Sequence, residues 1–101
     1  MSNNNPQAFF LRWNAHHTTL VKELDQLLLN KALVDCTLAA DGQYIDVHKV
    51  VLSACSPFLE SLLNRHYKKH AIVILKDVTF EELESIIEYM YKGEVTFFII
   101  D

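Results

Sequence analysis

Five histidines, two cysteines and thirteen carboxylates are the residues of this 101-residue chain that could do chemistry. A transition-metal site needs three or four imidazole, thiolate or carboxylate donors converging on one point. His16 and His17 are adjacent in a segment of helical period, so their side chains diverge by about 100° and share no ligand. His66 and His70 have the i, i+4 spacing, but the "YKK" between them reads as a loop leading into a strand. Cys36 and Cys55 belong to no CxxC pair and sit in apolar surroundings. They read as two buried, reduced thiols, which points to an intracellular compartment. Glu81, Glu82, Glu84 and Glu88 follow one helical segment, and the reading is a solvated face favoured near a helix N-terminus. No Gly-rich phosphate loop, nucleophile elbow or zinc-ligand spacing is present. The expectation is a non-enzyme with no catalytic residues, no metal ligands and no cofactor.

Asp35, His48 and Lys49 remain as charged or titratable groups flanked by apolar positions. They read either as a local salt bridge at the base of a hairpin or as a charged patch in a partner groove, because a buried charge needs a partner in both cases. A net charge of −4 argues against direct nucleic-acid binding, which requires a basic stripe. The spot made by His66, Lys68, Lys69 and His70 is too small to change that. No apolar run approaches the ~20 residues that span a bilayer. The opening "MSNNNPQA" lacks the layout of a signal peptide, and residues 1–7 read as a disordered lead-in to a single domain over residues 8–101.

The elements that must position these groups follow from periodicity. Trp13, Leu20, Val21, Leu24, Leu27 and Leu28 share one helical face, predicting a helix over about 14–29 with Asn14 as N-cap. Asp41-Gly42 is a strong hairpin signal, since a type I′ turn needs positive φ at both residues. Counting outward pairs Ala40 with Gln43, Leu38 with Ile45 and Cys36 with Val47. One face is then apolar, and the other sets Thr37 opposite Asp46 and Asp35 opposite His48. "HKVVLSACSPFLESLLN" reads as two short helices, the second capped by Ser56 with Pro57 at its first position. Phe58, Leu59, Leu62 and Leu63 give it an apolar face. "AIVILKDV" is a continuous apolar run, predicting a strand buried on both faces. In "VTFEELESIIEYMYKG", Thr79 and Glu82 form a capping box, with Val78 and Leu83 as the hydrophobic staple. Leu83, Ile86, Ile87, Met90 and Tyr91 line one face, and Gly93 closes the helix.

Two segments fit no such core. "FFLRW" (residues 9–13) and "EVTFFIID" (residues 94–101) are aromatic-rich and β-prone. Left free, both are sticky edges. A small domain covers only part of its apolar surface, so the expectation is that a partner chain covers the rest.

Three stretches resemble the BTB/POZ domain: "FFLRWNAHHTTL", "LVDCTLAADGQYIDVHKVVLSACSPFLESLL" and "IVILKDVTFEELESIIEYMYKGEV". Within it, "LRWN" before the first helix resembles the insect Tramtrack-type group of transcription and chromatin factors. That group usually reads "LRWNNHQ", where this chain has Ala15 and His17. After "GEV" the family continues with a polar stretch and further helices, whereas "TFFIID" follows here, so the expectation is a domain without the usual C-terminal helices within this sequence. The resemblance implies an α/β (α+β) fold, a helical cluster flanked by a short mixed sheet, in a strand-exchanged homodimer. It implies an interface of Phe9, Phe10, Leu11, Arg12, Trp13, His17, Leu20, Leu24, Val95 and Phe97, and a partner groove at Asp35, His48 and Lys49. Implied partners are a second copy, other BTB proteins or co-regulator peptides, with nuclear localisation and no direct nucleic-acid or membrane contact. The alternative within the family is a substrate adaptor docking a cullin ubiquitin-ligase scaffold through the helices around residues 57–64 and 81–92.

Overall fold

The computed structural model describes residues 5–65 and 69–98. The elements are α1 (His16–Leu29), β1 (Cys36–Ala40), β2 (Gln43–Val47), α2 (Lys49–Cys55), α3 (Pro57–Asn64), β3 (Ala71–Leu75) and α4 (Phe80–Lys92). The strands form one mixed sheet in the order β2-β1-β3.

The hairpin forms in the expected register. Asp41 and Gly42 both take positive φ, 52° and 77°, and Cys36, Leu38 and Ala40 lie opposite Val47, Ile45 and Gln43. Cys36, Leu38, Ala40 and Val47 are buried, with Ile45 packed against them. On the other face Thr37 Oγ1 donates to Asp46 Oδ1 at 2.6 Å. Beyond Cys36 the ladder continues by one bond, from the Asp35 N–H to the Val47 carbonyl. His48 then leaves the strand as the N-cap of α2.

β3 runs parallel to β1, with Cys36 beside Ala71 and Leu38 beside Val73. It is an edge strand, and the helices cover one face only. Ala71, Val73 and Leu75 pack on the core, while Ile72 and Ile74 are 68% and 72% exposed. The expectation of burial on both faces is therefore corrected. An apolar run shows that a strand could be covered twice, but not that a second layer exists.

Ser56 caps α3 through its side chain, accepting the Leu59 N–H at 3.2 Å, and Pro57 starts the helix. Leu63 is buried and Leu59 packs beside it. Phe58 is exposed, contrary to its placement on the apolar face. It stands about 140° round the helix from Leu63 at 100° per residue. In α4 the Thr79 hydroxyl accepts the Glu82 N–H at 3.1 Å, and the Glu82 carboxylate accepts the Thr79 N–H at 3.2 Å. Val78 and Leu83 both join the core. Leu83, Ile87 and Tyr91 form the buried stripe. Ile86 is exposed, one position off that stripe. Gly93 ends the helix at φ 80°, where its N–H donates to the Tyr89 carbonyl at 2.8 Å.

α1 begins later than predicted. Ala15 occupies the N-cap with no side-chain hydrogen bond, so Asn14 does not cap; instead the His16 N–H turns back to the Trp13 carbonyl at 3.1 Å. The helix lies against α4 and buries no residue fully. Leu24 and Leu28 rest on the core, while Leu20 and Val21 are exposed. Neither residues 5–13 nor 94–98 form a strand. The Cα radius of gyration is 19.0 Å, against about 13 Å for a compact chain of this length. Exposed residues 5–13 account for part of that excess.

Replacing Gly93 by Ala leaves the new methyl in open space, so the cost is conformational alone. Gly93→Ala is expected to lower stability by about 1–2 kcal/mol, and Gly93→Asn by less, measured by urea unfolding.

Candidate interaction surface

The groups singled out at the base of the hairpin separate into two environments. Asp35 Oδ1 accepts the Lys49 N–H at 2.7 Å. A carboxylate at a helix N-terminus satisfies an orphan donor and meets the positive end of the helix dipole. This contact is to the backbone of Lys49, not the salt bridge that the sequence suggested. The ammonium of Lys49 reaches the Lys69 carbonyl at 2.9 Å. Asp35 and Lys49 line a polar cavity of about 450 Å³ with Val50, Ser53, Glu60, Leu63 and Asn64.

His48 lies apart from this groove. It is 5% exposed and its ring is turned inward. The His48 backbone N–H donates to the Tyr91 hydroxyl at 2.9 Å. Nε2 lies 2.8 Å from the Ala32 carbonyl and Nδ1 lies 2.6 Å from the Tyr91 hydroxyl. A carbonyl only accepts, so Nε2 carries the proton and Nδ1 accepts from Tyr91. Every polar atom of the ring is thereby used inside the chain, and none is left for a partner. Lys31 and Leu33, which flank Ala32, both take left-handed φ, 54° and 61°. Such backbone costs about 1–2 kcal/mol per residue, and the His48 bond helps to hold it. Sequence reading missed this constellation, since Tyr91 showed only as an apolar stripe position. Burial pushes the Tyr91 phenol up to about 12, with the His48 N–H partly opposing the shift.

The two cysteines also divide. Cys36 is fully buried, and burial, then the nearby Asp35 charge, pushes its thiol up, which makes it inert. Cys55 is exposed, contrary to expectation. Its Sγ donates to the Met90 carbonyl at 3.5 Å, in the wall of an apolar cavity of about 680 Å³. Ile86, Tyr89, Met90, Val95 and Phe97 form most of the rest of that wall. Val95 and Phe97 are thus brought to one site with the outer side of α4.

The aromatic segment before α1 meets nothing comparable. Phe9 is 82%, Leu11 93% and Trp13 61% exposed. The Arg12 guanidinium lies 5.4 Å from the Phe10 ring centre, and Trp13 stands 5.1 Å from the His16 ring, which in turn meets His17 at 5.3 Å. His17 and Leu20 are exposed, and Leu24 alone of the predicted interface residues on α1 packs on the core. The possible metal pair at His66 and His70 and the basic spot at Lys68 fall partly outside the described residues. Among the described residues, no three metal-ligating side chains converge, and no helix is long and apolar enough to cross a membrane.

A three-stranded mixed sheet lies under a helical cluster, and Phe9, Phe10, Trp13, Phe58, Phe97 and Phe98 are exposed. The family model of the BTB/POZ domain matches residues 24–100. The fold resembles the solved BTB domain of zebrafish PATZ1, with a TM-score of 0.77 at 17% identity, over 88% of this chain and 73% of that one. The Drosophila melanogaster protein Longitudinals lacking, isoforms A/B/D/L, is 57% identical over 88% of this chain and 11% of its own length. Protein tramtrack, alpha isoform, from the same organism is 49% identical over 89% of this chain and 11% of its own length. The Drosophila Longitudinals lacking protein-like is 48% identical over 88% of this chain and 70% of its own length. This chain belongs to the BTB/POZ family, whose domains are protein–protein interaction modules. It spans about a tenth of the length of the first two relatives.

Removing the Tyr91 hydroxyl orphans the His48 N–H and Nδ1 in the interior. Tyr91→Phe is expected to cost about 1–3 kcal/mol in urea unfolding. A phenol raised to about 12 in the folded state, against 10.0 ordinarily, contributes stability that is intact below pH 10. That contribution is lost as pH rises from 10 to 12, because the unfolded chain ionises first. The difference in stability between wild type and Tyr91→Phe should therefore shrink across that window.

Proposed function

We propose that this domain is the self-association module of a nuclear transcription or chromatin factor, acting as a strand-exchanged homodimer and without catalytic chemistry. The observation that carries the reading is the uncovered row before α1. Phe9, Phe10, Leu11 and Trp13 all stand in solvent, and soluble monomers rarely leave such a contiguous patch open. β-Prone backbone outside any strand at residues 9–13 and 94–98 offers two edges that one exchange would satisfy at once. The open face of α1, with His17, Leu20 and the half-buried Leu24, lies next along the chain and supplies a twofold contact. Such an interface is isologous and buries roughly 2,000 Å² or more.

The mechanism is bivalency. Coupling two copies raises the local concentration of whatever each full-length chain carries, to about millimolar for short linkers. With a net charge of −4, DNA contact belongs to other parts of such a factor. The relatives named above support the transcriptional setting by likeness. Mixed pairing with other BTB domains follows the same surface. Asp35 and Lys49, in their polar cavity with Glu60, form the groove for a co-regulator peptide. His48 supports that groove from behind through the α2 N-terminus. The exposed Phe58 on α3 favours a second reading, an adaptor surface for a cullin scaffold. A tight complex with a purified cullin N-terminal region would select it.

Deleting residues 1–13 is expected to yield monomer or aggregate in place of a dimer, read by sedimentation velocity and light scattering over a range of concentrations. A clean dimer from the truncated chain would overturn strand exchange. Lys49→Glu is expected to weaken co-regulator peptide binding in a titration while the dimer mass stays unchanged.

A further inference from the structure

We infer that the outer edge of β3 is a docking site for an extended partner peptide, an apolar run with an acidic residue at each end, which joins the sheet as a fourth strand. The surface is separate from the arm before α1, and the inference does not depend on strand exchange. The strand order β2-β1-β3 gives the sheet two edges, and their chemistry differs. β2 carries a charge, Asp46, within the strand, a common guard against further pairing. β3 reads Ala-Ile-Val-Ile-Leu, with no charge and no proline, in unbroken register with β1. Its outer N–H and C=O groups have no strand partner among the described residues.

A cavity of about 510 Å³ follows this edge, walled by Leu62 and Leu63 at the end of α3, by Lys69 and by the strand itself. It shares only Leu63 with the polar groove at Asp35 and Lys49. An added strand turns alternate side chains to opposite faces of the sheet. On the helix side they meet Leu62 and Leu63. On the open face they lie beside Ile72 and Ile74, both exposed. Both rows favour apolar side chains, so the partner carries a continuous apolar run and not an alternating one. Lys69 precedes the strand and Lys76 follows it, both exposed. At 3.3 Å per residue they stand about 23 Å apart, which suits acidic residues some seven positions apart. Asp77, the next residue, leaves the strand direction at a left-handed φ of 61°. On a chain of net charge −4, this basic bracket selects an acidic partner by complementarity.

The edge is also held ready. The Lys69 carbonyl accepts from the Lys49 ammonium at 2.9 Å. His70 Nε2 lies 2.7 Å from Thr37 Oγ1, and that hydroxyl donates to Asp46, so it accepts from the ring. These bonds fix the start of β3, and a strand already ordered loses little freedom on binding. Backbone pairing then gives affinity and the two side-chain rows give selectivity.

The test titrates the full chain into a fluorescein-labelled synthetic peptide, DEVTVIVTDE, read by polarisation. Saturable binding that weakens as sodium chloride is raised is expected. Ile72→Asp combined with Ile74→Asp should lower affinity about tenfold or more, with folding checked by circular dichroism. Lys69→Glu combined with Lys76→Glu should lose this peptide and gain RKVTVIVTKR, an exchange of preference that a folding defect cannot produce. N-methylation of one alternate set of peptide amides should abolish binding, and of the other set should leave it, since a strand pairs along one side. Absence of saturable binding, or binding that survives both double variants, overturns the site. Tolerance of N-methylation in both sets overturns strand addition. Light scattering tests the remaining occupant: an oligomer that is lost in the double aspartate variant and undisturbed by excess peptide assigns the edge to a second copy and overturns the peptide.

Discussion

Three parts of the chain that are distant in sequence meet at the Tyr91 hydroxyl. It accepts the backbone N–H of His48 at the start of α2 and lies 2.6 Å from the His48 ring, while the far side of that ring holds the Ala32 carbonyl between α1 and β1. Tyr91 itself is the last buried residue of α4. These bonds run through the interior, where an unmade partner costs the full desolvation of the group. They therefore fix the orientation of α2 on α4 and stabilise two left-handed residues in the connecting loop. The placement of Asp35 and Lys49 follows, since Asp35 caps the helix that His48 anchors.

The second constraint is coverage. One helical layer packs on one face of a three-stranded sheet, and the core so formed is small: Cys36, Val47, Leu52, Leu83 and Ile87 are its fully buried centre. A chain of about 100 residues cannot enclose much more than this. Half of its residues are nevertheless apolar, and exposed ones occur at the arm before α1, the outer side of α4 and the tail after Gly93, and also at Phe58 and on the open face of β3. α1 lies between the two regimes, with its C-terminal half resting on the core and its N-terminal half open.

Electrostatics plays a smaller part. The Glu88–Lys92 pair at 3.3 Å is exposed and contributes little. The charges with consequence are those aimed at helix ends, Asp35 at α2 and Glu82 within the capping box of α4. No side chain caps the N-terminus of α1, which carries two histidines where acidic residues would suit the dipole. The first turn of α1 is accordingly the weakest start among the three longer helices.

What the sequence determined by itself was local. Asp41-Gly42 and the alternation around it specify the hairpin and its register, because turn geometry and side-chain period must agree to within one residue. Thr79, Glu82 and Gly93 bound α4, and Ser56-Pro57 starts α3, because these side chains satisfy backbone groups within their own first or last turn. Two of the three stretches that resemble the family include these same elements. Only the tertiary structure decided the rest: that Ile72 and Ile74 face solvent, that Phe58 and Ile86 fall off their buried stripes, that Cys55 is exposed while Cys36 is not, and that His48 turns inward to Tyr91 and not toward a groove. Each of these depends on which element arrives from elsewhere to cover a face. Apolarity and helical period state that a side chain could be buried; what buries it is a non-local packing choice, and here the choice leaves the arm before α1 uncovered.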